Sequence, residues 1–172
     1  MSDQLSSFIR DVPDFPQPGI VFKDITPLLE NPAGFRMTLD AFTELLKEER
    51  IDKIVGIESR GFLFGAPLAD RLGAGFVMAR KKDKLPGDTI AITYDLEYGT
   101  NTIEIHNDSV LPGERVMIVD DVLATGGTAS AVCRLVEQLG GEIAGLAFLI
   151  ELGFLDGRKA LEGRKVTRLI EY

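Results

Sequence analysis

From Lys53 onward, short apolar runs alternate with segments of helical spacing, and this alternation constrains the fold more than any other feature of the chain. Lys53–Glu58 (KIVGIE) reads as a buried strand, Gly61–Leu72 as a helix stopped by Gly73, and Gly75–Arg80 as a second strand. Arg115–Val119 (RVMIV), Ile143–Ile150 and Val166–Ile170 predict three more strands, with a helix from about Gly127 to Leu139 ahead of Gly140-Gly141. A strand that is apolar at successive positions has no face to offer water, so both its sides must be covered. Strands and helices in turn therefore predict an α/β fold with a mostly parallel five-stranded sheet flanked by helices. Thr89–Tyr98 and Asn101–His106, around Gly99-Thr100, predict a β-hairpin inserted into that core.

Ahead of the alternation, Leu5, Phe8 and Ile9 suggest a short amphipathic helix, and Pro13, Pro16, Pro18 and Gly19 impose an extended, turn-rich loop. Asn31 followed by Pro32 is a helix start, and Phe35, Leu39, Phe42 and Leu46 continue it at helical spacing. With 172 residues, 45% hydrophobic and 27% charged, the chain suits one domain spanning 1–172. Within it, residues 1–34 form an N-terminal segment and 80–107 a loop with the hairpin.

Nineteen basic against 27 acidic side chains give a net charge of −8, which argues against nucleic-acid binding. The charge is unevenly spread, because Arg80, Lys81, Lys82 and Lys84 fall within five residues and make a candidate anion site or a solvated loop. A single cysteine, Cys133, forms no internal disulfide, and its spacing from Ala129 and Val136 suggests a buried small residue. No basic-then-apolar leader opens the chain, and the longest apolar run, Ile143–Ile150, is far shorter than the roughly 20 residues that span a bilayer. A cytoplasmic protein with no membrane partner is expected.

Residues 116–128 read Val-Met-Ile-Val-Asp-Asp-Val-Leu-Ala-Thr-Gly-Gly-Thr. An apolar strand should emerge at two carboxylates, pass through a loop of small residues and enter a helix. Ligands of open α/β sheets bind at the carboxyl ends of strands. The loop Ala124, Thr125, Gly126, Gly127 and Thr128 can aim backbone N–H groups at a phosphate, helped by the following helix N-terminus. Asp120 and Asp121 then stand about a sugar's width away, suited to ribose hydroxyls directly or through a metal ion. A plain turn with a flexible Gly-Gly connection is the alternative. Neither G-x-x-x-x-G-K-[ST] nor an early G-x-G-x-x-G occurs, which argues against a P-loop nucleotidase and a dinucleotide-binding domain.

This segment resembles the phosphoribosyl-pyrophosphate (PRPP) motif of the type I phosphoribosyltransferases. Four further segments occur in the family's order and narrow the resemblance to the branch acting on adenine: Asp14–Phe22 (DFPQPGIVF), Glu58–Gly65 (ESRGFLFG), Arg80–Gly87 (RKKDKLPG) and Tyr94–Gly99 (YDLEYG). The resemblance implies conversion of adenine and PRPP to AMP and pyrophosphate by displacement at the ribose anomeric carbon. It implies Mg²⁺ held mainly by substrate oxygens and water, since the sequence shows no metal-ligand cluster.

Carried over by motif, Ala124–Thr128 would hold the 5′-phosphate and Asp120 and Asp121 the ribose hydroxyls. Glu58, Ser59 and Arg60 would lie in the pyrophosphate loop, with a cis peptide at Glu58–Ser59 and Arg60 near the leaving group; a surface salt bridge is the plainer reading of Arg60. Arg80, Lys81 and Lys84 would bind pyrophosphate, and in the family the Arg-Lys pair can reach across a dimer interface, so a homodimer is expected. The N-terminal segment resembles the family's hood, with backbone groups of Val21 reading the purine edge and Phe22 supplying an aromatic wall as well as packing. Lys23 follows, where the family often has arginine. Glu97 and Tyr98 resemble a pair on a mobile hairpin, with Glu97 the acid/base at the purine nitrogen; without the resemblance Glu97 reads as solvated surface. His106, the sole histidine, is read as structural or surface. Transfer to hypoxanthine, guanine or xanthine, and a non-catalytic PRPP-sensing regulator, remain open beside this reading.

Overall fold

The computed structural model describes residues 2–95 and 99–172. β3 (Lys53–Ile57), β4 (Gly75–Lys81), β7 (Arg115–Leu123), β8 (Glu142–Glu151) and β9 (Val166–Glu171) are the five parallel strands, in the order β4-β3-β7-β8-β9. The hairpin, β5 (Thr89–Asp95) and β6 (Thr100–His106), joins the same sheet: β6 pairs antiparallel with β4 at Arg80 and Lys81, making seven strands in all.

α3 (Pro32–Leu46) starts as expected, with Asn31 Oδ1 accepting the N–H groups of Ala33 and Gly34 at 3.0 Å each. α4 (Arg60–Leu72) ends at Gly73, whose φ of 67° suits glycine. α5 (Gly127–Gln138) covers the opposite face of the sheet. The strands alternate between the two faces. Val116 and Ile118 pack under α5 and the hairpin, while Met117 and Val119 pack with α3 and α4. That two-sided burial is why these strands read as unbroken apolar runs.

Three regions differ from the sequence expectation. The proline-rich stretch is the turn of a second antiparallel pair, β1 (Arg10–Pro13) with β2 (Val21–Asp24). These strands are too short for a visible alternation. α2 (Thr26–Glu30) is likewise short and follows directly on β2, while α1 (Ser2–Ser6) seats Leu5 in the core. Most important for the site, β7 does not end at Val119 but runs through both aspartates to Leu123. β8 supplies it with partners, Asp120 lying opposite Phe148 and Leu123 opposite Glu151. Charge argued against a strand there; ladder pairing overrides it.

From β3 the chain moves to β4 on one side, and then returns to lay β7 on the other side of β3. The reversal leaves a crevice at the carboxyl ends of β3 and β7, the place where open α/β sheets bind ligands.

Candidate active site

Glu58–Arg60 follow the end of β3, and Asp120–Thr128 take in the last residues of β7 and the loop after it, so the crevice collects both segments. The Glu58–Ser59 peptide is cis. Ser59 follows as the exposed N-cap of α4, its hydroxyl making no cap bond. Gly61 lets α4 start close against β7: a Cβ there would sit 2.6 Å from the Val119 carbonyl and 3.0 Å from Asp120 Oδ1. The approach brings Arg60 over the strand, with Nε 2.6 Å from Asp121 Oδ2. That short contact is an ion pair without an aligned hydrogen bond, because Oδ2 is a buried side-chain oxygen that receives no donor among the described residues.

Burial, with the neighbouring Asp121 charge added, pushes the Asp120 carboxyl well above the usual carboxylate range; the Asp121 N–H that Asp120 Oδ1 accepts at 2.9 Å works against this. Asp120 is half-buried and lines the crevice. Burial also raises Asp121, opposed by the charge of Arg60. Two carboxyls left short of donors favour a ligand that brings hydroxyls or a cation.

Two cavities meet at Asp120. One of about 90 Å³ is enclosed by Val122 and the loop from Ala124 to Thr128. Within that loop Gly126 has φ +82°, open to glycine at little strain, and Gly157 packs directly against it. A Cβ on Gly126 would lie 2.4 Å from the Gly157 carbonyl, and one on Gly157 would lie 2.1 Å from the Ala124 carbonyl. The turn carrying Gly157 is itself pinned, since Arg158 donates to both oxygens of buried Glu151 at 2.6 and 2.8 Å. Thr125 is exposed at the rim, and Thr128 Oγ1 donates to Tyr94 Oη at 3.0 Å.

The second cavity, about 280 Å³, lies between β2 and β7 and is walled by Ile20, Val21, Phe22, Val122 and Leu152, with Arg60 and both aspartates at its polar side. Phe22 is held edge-on by Phe15, ring centres 5.3 Å apart, and carries the Arg60 guanidinium at 5.4 Å. Lys23 also lines this cavity, but its ammonium is engaged by other partners: it pairs with Asp11 at 2.7 Å and lies 3.9 Å over the Tyr172 ring. A flat polar molecule would thus meet the Phe22 wall and backbone of β2, not the Lys23 charge.

The basic run follows β4. Glu58 Oε2 accepts from Arg80 Nε at 3.1 Å and from the Lys81 N–H at 2.9 Å, so the Glu58 carboxylate organises the cationic loop from below. Arg80 also donates to the Lys84 carbonyl at 2.9 Å. Buried Glu104 accepts the N–H groups of Lys84 and Leu85, at 3.1 Å each; burial raises its pKa, and the donated N–H groups outweigh that and lower it. Lys81, Lys82 and Lys84 are exposed and make no ion pair among the described residues. His106 closes the hairpin root, its Nε2 2.7 Å from the Pro86 carbonyl. Glu97 and Tyr98 lie outside the described residues. Sequence reasoning missed Ile20, Val122 and Leu152 as walls, and Tyr94, Glu104 and Gly157 as supports. Each acts through a partner distant in sequence, so no local pattern marks it.

The phosphoribosyl transferase domain family matches residues 24–168. An adenine phosphoribosyltransferase of Carboxydothermus hydrogenoformans is 56% identical over 168 residues, covering 98% of this chain and 99% of its own. The crystal structure of adenine phosphoribosyltransferase from Thermoanaerobacter pseudethanolicus is similar with a TM-score of 0.97 and 51% identity, over 100% of both chains. The Saccharomyces cerevisiae enzyme, solved with adenine and an imino-altritol bisphosphate, follows at a TM-score of 0.92 and 45% identity, over 98% of this chain and 97% of that one. With its crevice, acidic pair and loop of small residues lying inside the matched region, the chain belongs to the phosphoribosyltransferase family, and within it to the adenine phosphoribosyltransferases.

Proposed function

We propose that the chain joins adenine to the ribose of PRPP, releasing pyrophosphate and forming AMP, with the residues at the ends of β3 and β7 as its machinery. The meeting at Asp120 of a small cavity lined by the Ala124–Thr128 loop and a larger aromatic-walled one carries this reading. Residues 124–128 would cradle the 5′-phosphate, Asp120 and Asp121 would take the ribose hydroxyls, and Val21 and Phe22 would face the base. Arg60 and the amides at the start of α4 would face pyrophosphate, joined by Arg80, Lys81 and Lys84.

Among the described residues no three or more His, Cys, Asp or Glu gather as metal ligands. Asp120 and Asp121, with the orphaned Asp121 Oδ2, fit the one or two carboxylates that Mg²⁺ takes alongside phosphate oxygens and water. When bound, that ion would neutralise charge on the departing pyrophosphate. In the reaction, the bond from the anomeric carbon to pyrophosphate breaks with its electron pair leaving on oxygen. The purine nitrogen forms the new bond and gives up its proton, which we assign to Glu97. The basic side chains stabilise the developing charge, and the crevice fixes the attack line.

A cytoplasmic homodimer is part of the proposal. Cys133 is buried with its thiol pushed up to about 12, and no helix among the described residues is long and apolar enough to cross a membrane. Sedimentation at several concentrations tests the dimer. The reaction is tested by AMP formation from adenine beside hypoxanthine, guanine and xanthine. A site built for the 6-amino edge should prefer adenine by roughly 10⁴-fold in kcat/KM. Equal use of hypoxanthine would replace the adenine reading, and PRPP binding without turnover would favour a sensor.

A further inference from the structure

Along β5, the side chains of Ile90, Ile92 and Tyr94 fall on the face turned to α5 and pack against the core there. Tyr94 ends that row, half-buried, and its hydroxyl meets that of Thr128 at the start of α5. The hairpin and the loop of small residues are thus joined through two hydroxyls 34 residues apart in the chain.

We propose that Tyr94 is a positioning residue for the 5′-phosphate: its phenol holds the Thr128 hydroxyl and turns from acceptor to donor when phosphate enters. The proposal rests on reading residues 124–128 as the phosphate loop. Its basis is a proton count. The Thr128 hydroxyl has one proton to donate, and a phosphate dianion only accepts. Across 3.0 Å between the two oxygens, Thr128 is the donor and Tyr94 the acceptor, so that proton is already in use. To bond the phosphate, Thr128 must withdraw it, and a partner without a hydrogen would then be left facing a lone pair. The phenol has a proton of its own, so the contact survives with its direction reversed. The chain becomes phenol to hydroxyl to phosphate, with no proton transferred and each bond polarising the next.

Valine-like branching restricts the Thr128 rotamer, and the phenol selects the one in which its oxygen faces the hairpin. Coupling follows in both directions, because a phosphate that strengthens the Tyr94–Thr128 bond is itself bound more tightly when that bond is available. Tyr94 stands three residues ahead of Glu97 in the sequence, so the same bond anchors the hairpin strand that leads to Glu97.

The test compares AMP with adenosine, which lacks the phosphate, by calorimetry on the parent, Tyr94→Phe, Thr128→Val, Thr128→Ser and the Tyr94→Phe/Thr128→Val pair. Phenylalanine keeps the ring packing, and thermal midpoints check that each variant is folded. Tyr94→Phe is expected to weaken AMP about three- to tenfold, the range for one neutral hydrogen bond, and to leave adenosine unchanged. That loss should vanish in the Thr128→Val background, while Thr128→Ser should bind AMP near the parent value. If Thr128→Val weakens AMP but Tyr94→Phe does not, the proposal is overturned and the phosphate loop stands. Equal weakening of AMP and adenosine by Tyr94→Phe also overturns it, as a packing effect. If Thr128→Val leaves AMP affinity intact, the Thr128 hydroxyl makes no phosphate bond and this proposal is overturned, whereas a parent protein that binds AMP no more tightly than adenosine removes the phosphate-loop reading itself.

Discussion

A carboxylate inside a protein is tolerated only where charge or donors replace the water it loses. Asp121 has Arg60, and Asp120 has one backbone N–H, so Asp120 is the less compensated of the two. Its pKa is raised in the fold; a raised carboxyl opposes folding at neutral pH and stops doing so as pH falls through the folded-state value. Asp120→Asn keeps an acceptor for the Asp121 N–H and removes the charge. The unliganded variant should therefore melt at a higher temperature by scanning calorimetry, while PRPP affinity drops by about 1.5–3 kcal/mol. A lower melting temperature would contradict the electrostatic account. For Glu97, Glu97→Gln should lower the single-turnover rate by about 10²–10⁴-fold with AMP affinity nearly unchanged. A rate within about threefold of the parent would remove Glu97 from proton transfer.

At the scale of elements, the loop from β7 to α5 takes its shape from the turn around Gly157 as much as from its own glycines. Gly157→Ala puts a methyl 2.1 Å from the Ala124 carbonyl. Backbone must move to admit it, and overpacking of this kind costs about 1–3 kcal/mol. The shift falls on the loop proposed to cradle the phosphate, so the KM for PRPP should rise well above the parent value while the KM for adenine changes little. Unchanged PRPP kinetics would mean that the loop holds its shape alone. Neither Gly157 nor Glu151 is marked by any local motif. What was legible here was the small-residue loop itself, because a strand-to-helix turn with ordered carboxylates and hydroxyls is a local pattern. The extension of β7 through two aspartates was not, since it depends on pairing with β8.

Across the molecule, several carboxylates lie on the opposite side of the pH balance from Asp120. Asp24 is lowered from 3.8 to about 2, first by the hydroxyl and then the N–H of Thr26, with Arg10 adding to them. Arg158 holds Glu151 below the usual range, and Lys165 does the same for Glu49. A carboxyl with a lowered folded-state pKa contributes stability above its unfolded value, and that contribution is lost as pH falls through the folded one. Denaturant midpoints should thus hold near neutrality and fall below about pH 4, toward the Asp24 value of about 2. Asp24→Asn should flatten the lowest part of that curve. A curve still rising below pH 4 would mean that relief of Asp120 and Asp121 outweighs these pairs.

The sequence by itself determined the layered α/β core, its five parallel strands, α3, α4 and α5, and the small-residue turn after β7, because those rest on periodicity, capping and a local turn. Asn31 capping α3 and Gly73 ending α4 act within a few residues of themselves. Only the tertiary structure decided what faces what. The reversal at β3 brings Arg60 onto Asp121 and Phe22, though 61 positions separate Arg60 from Asp121. Folding also hands Lys23 to Asp11 and Tyr172, and gives the Thr128 hydroxyl to Tyr94. A hydroxyl or a charge carries no mark of its partner in the residues beside it. Its bond is set by which strands lie together, and strand order is a property of the whole sheet.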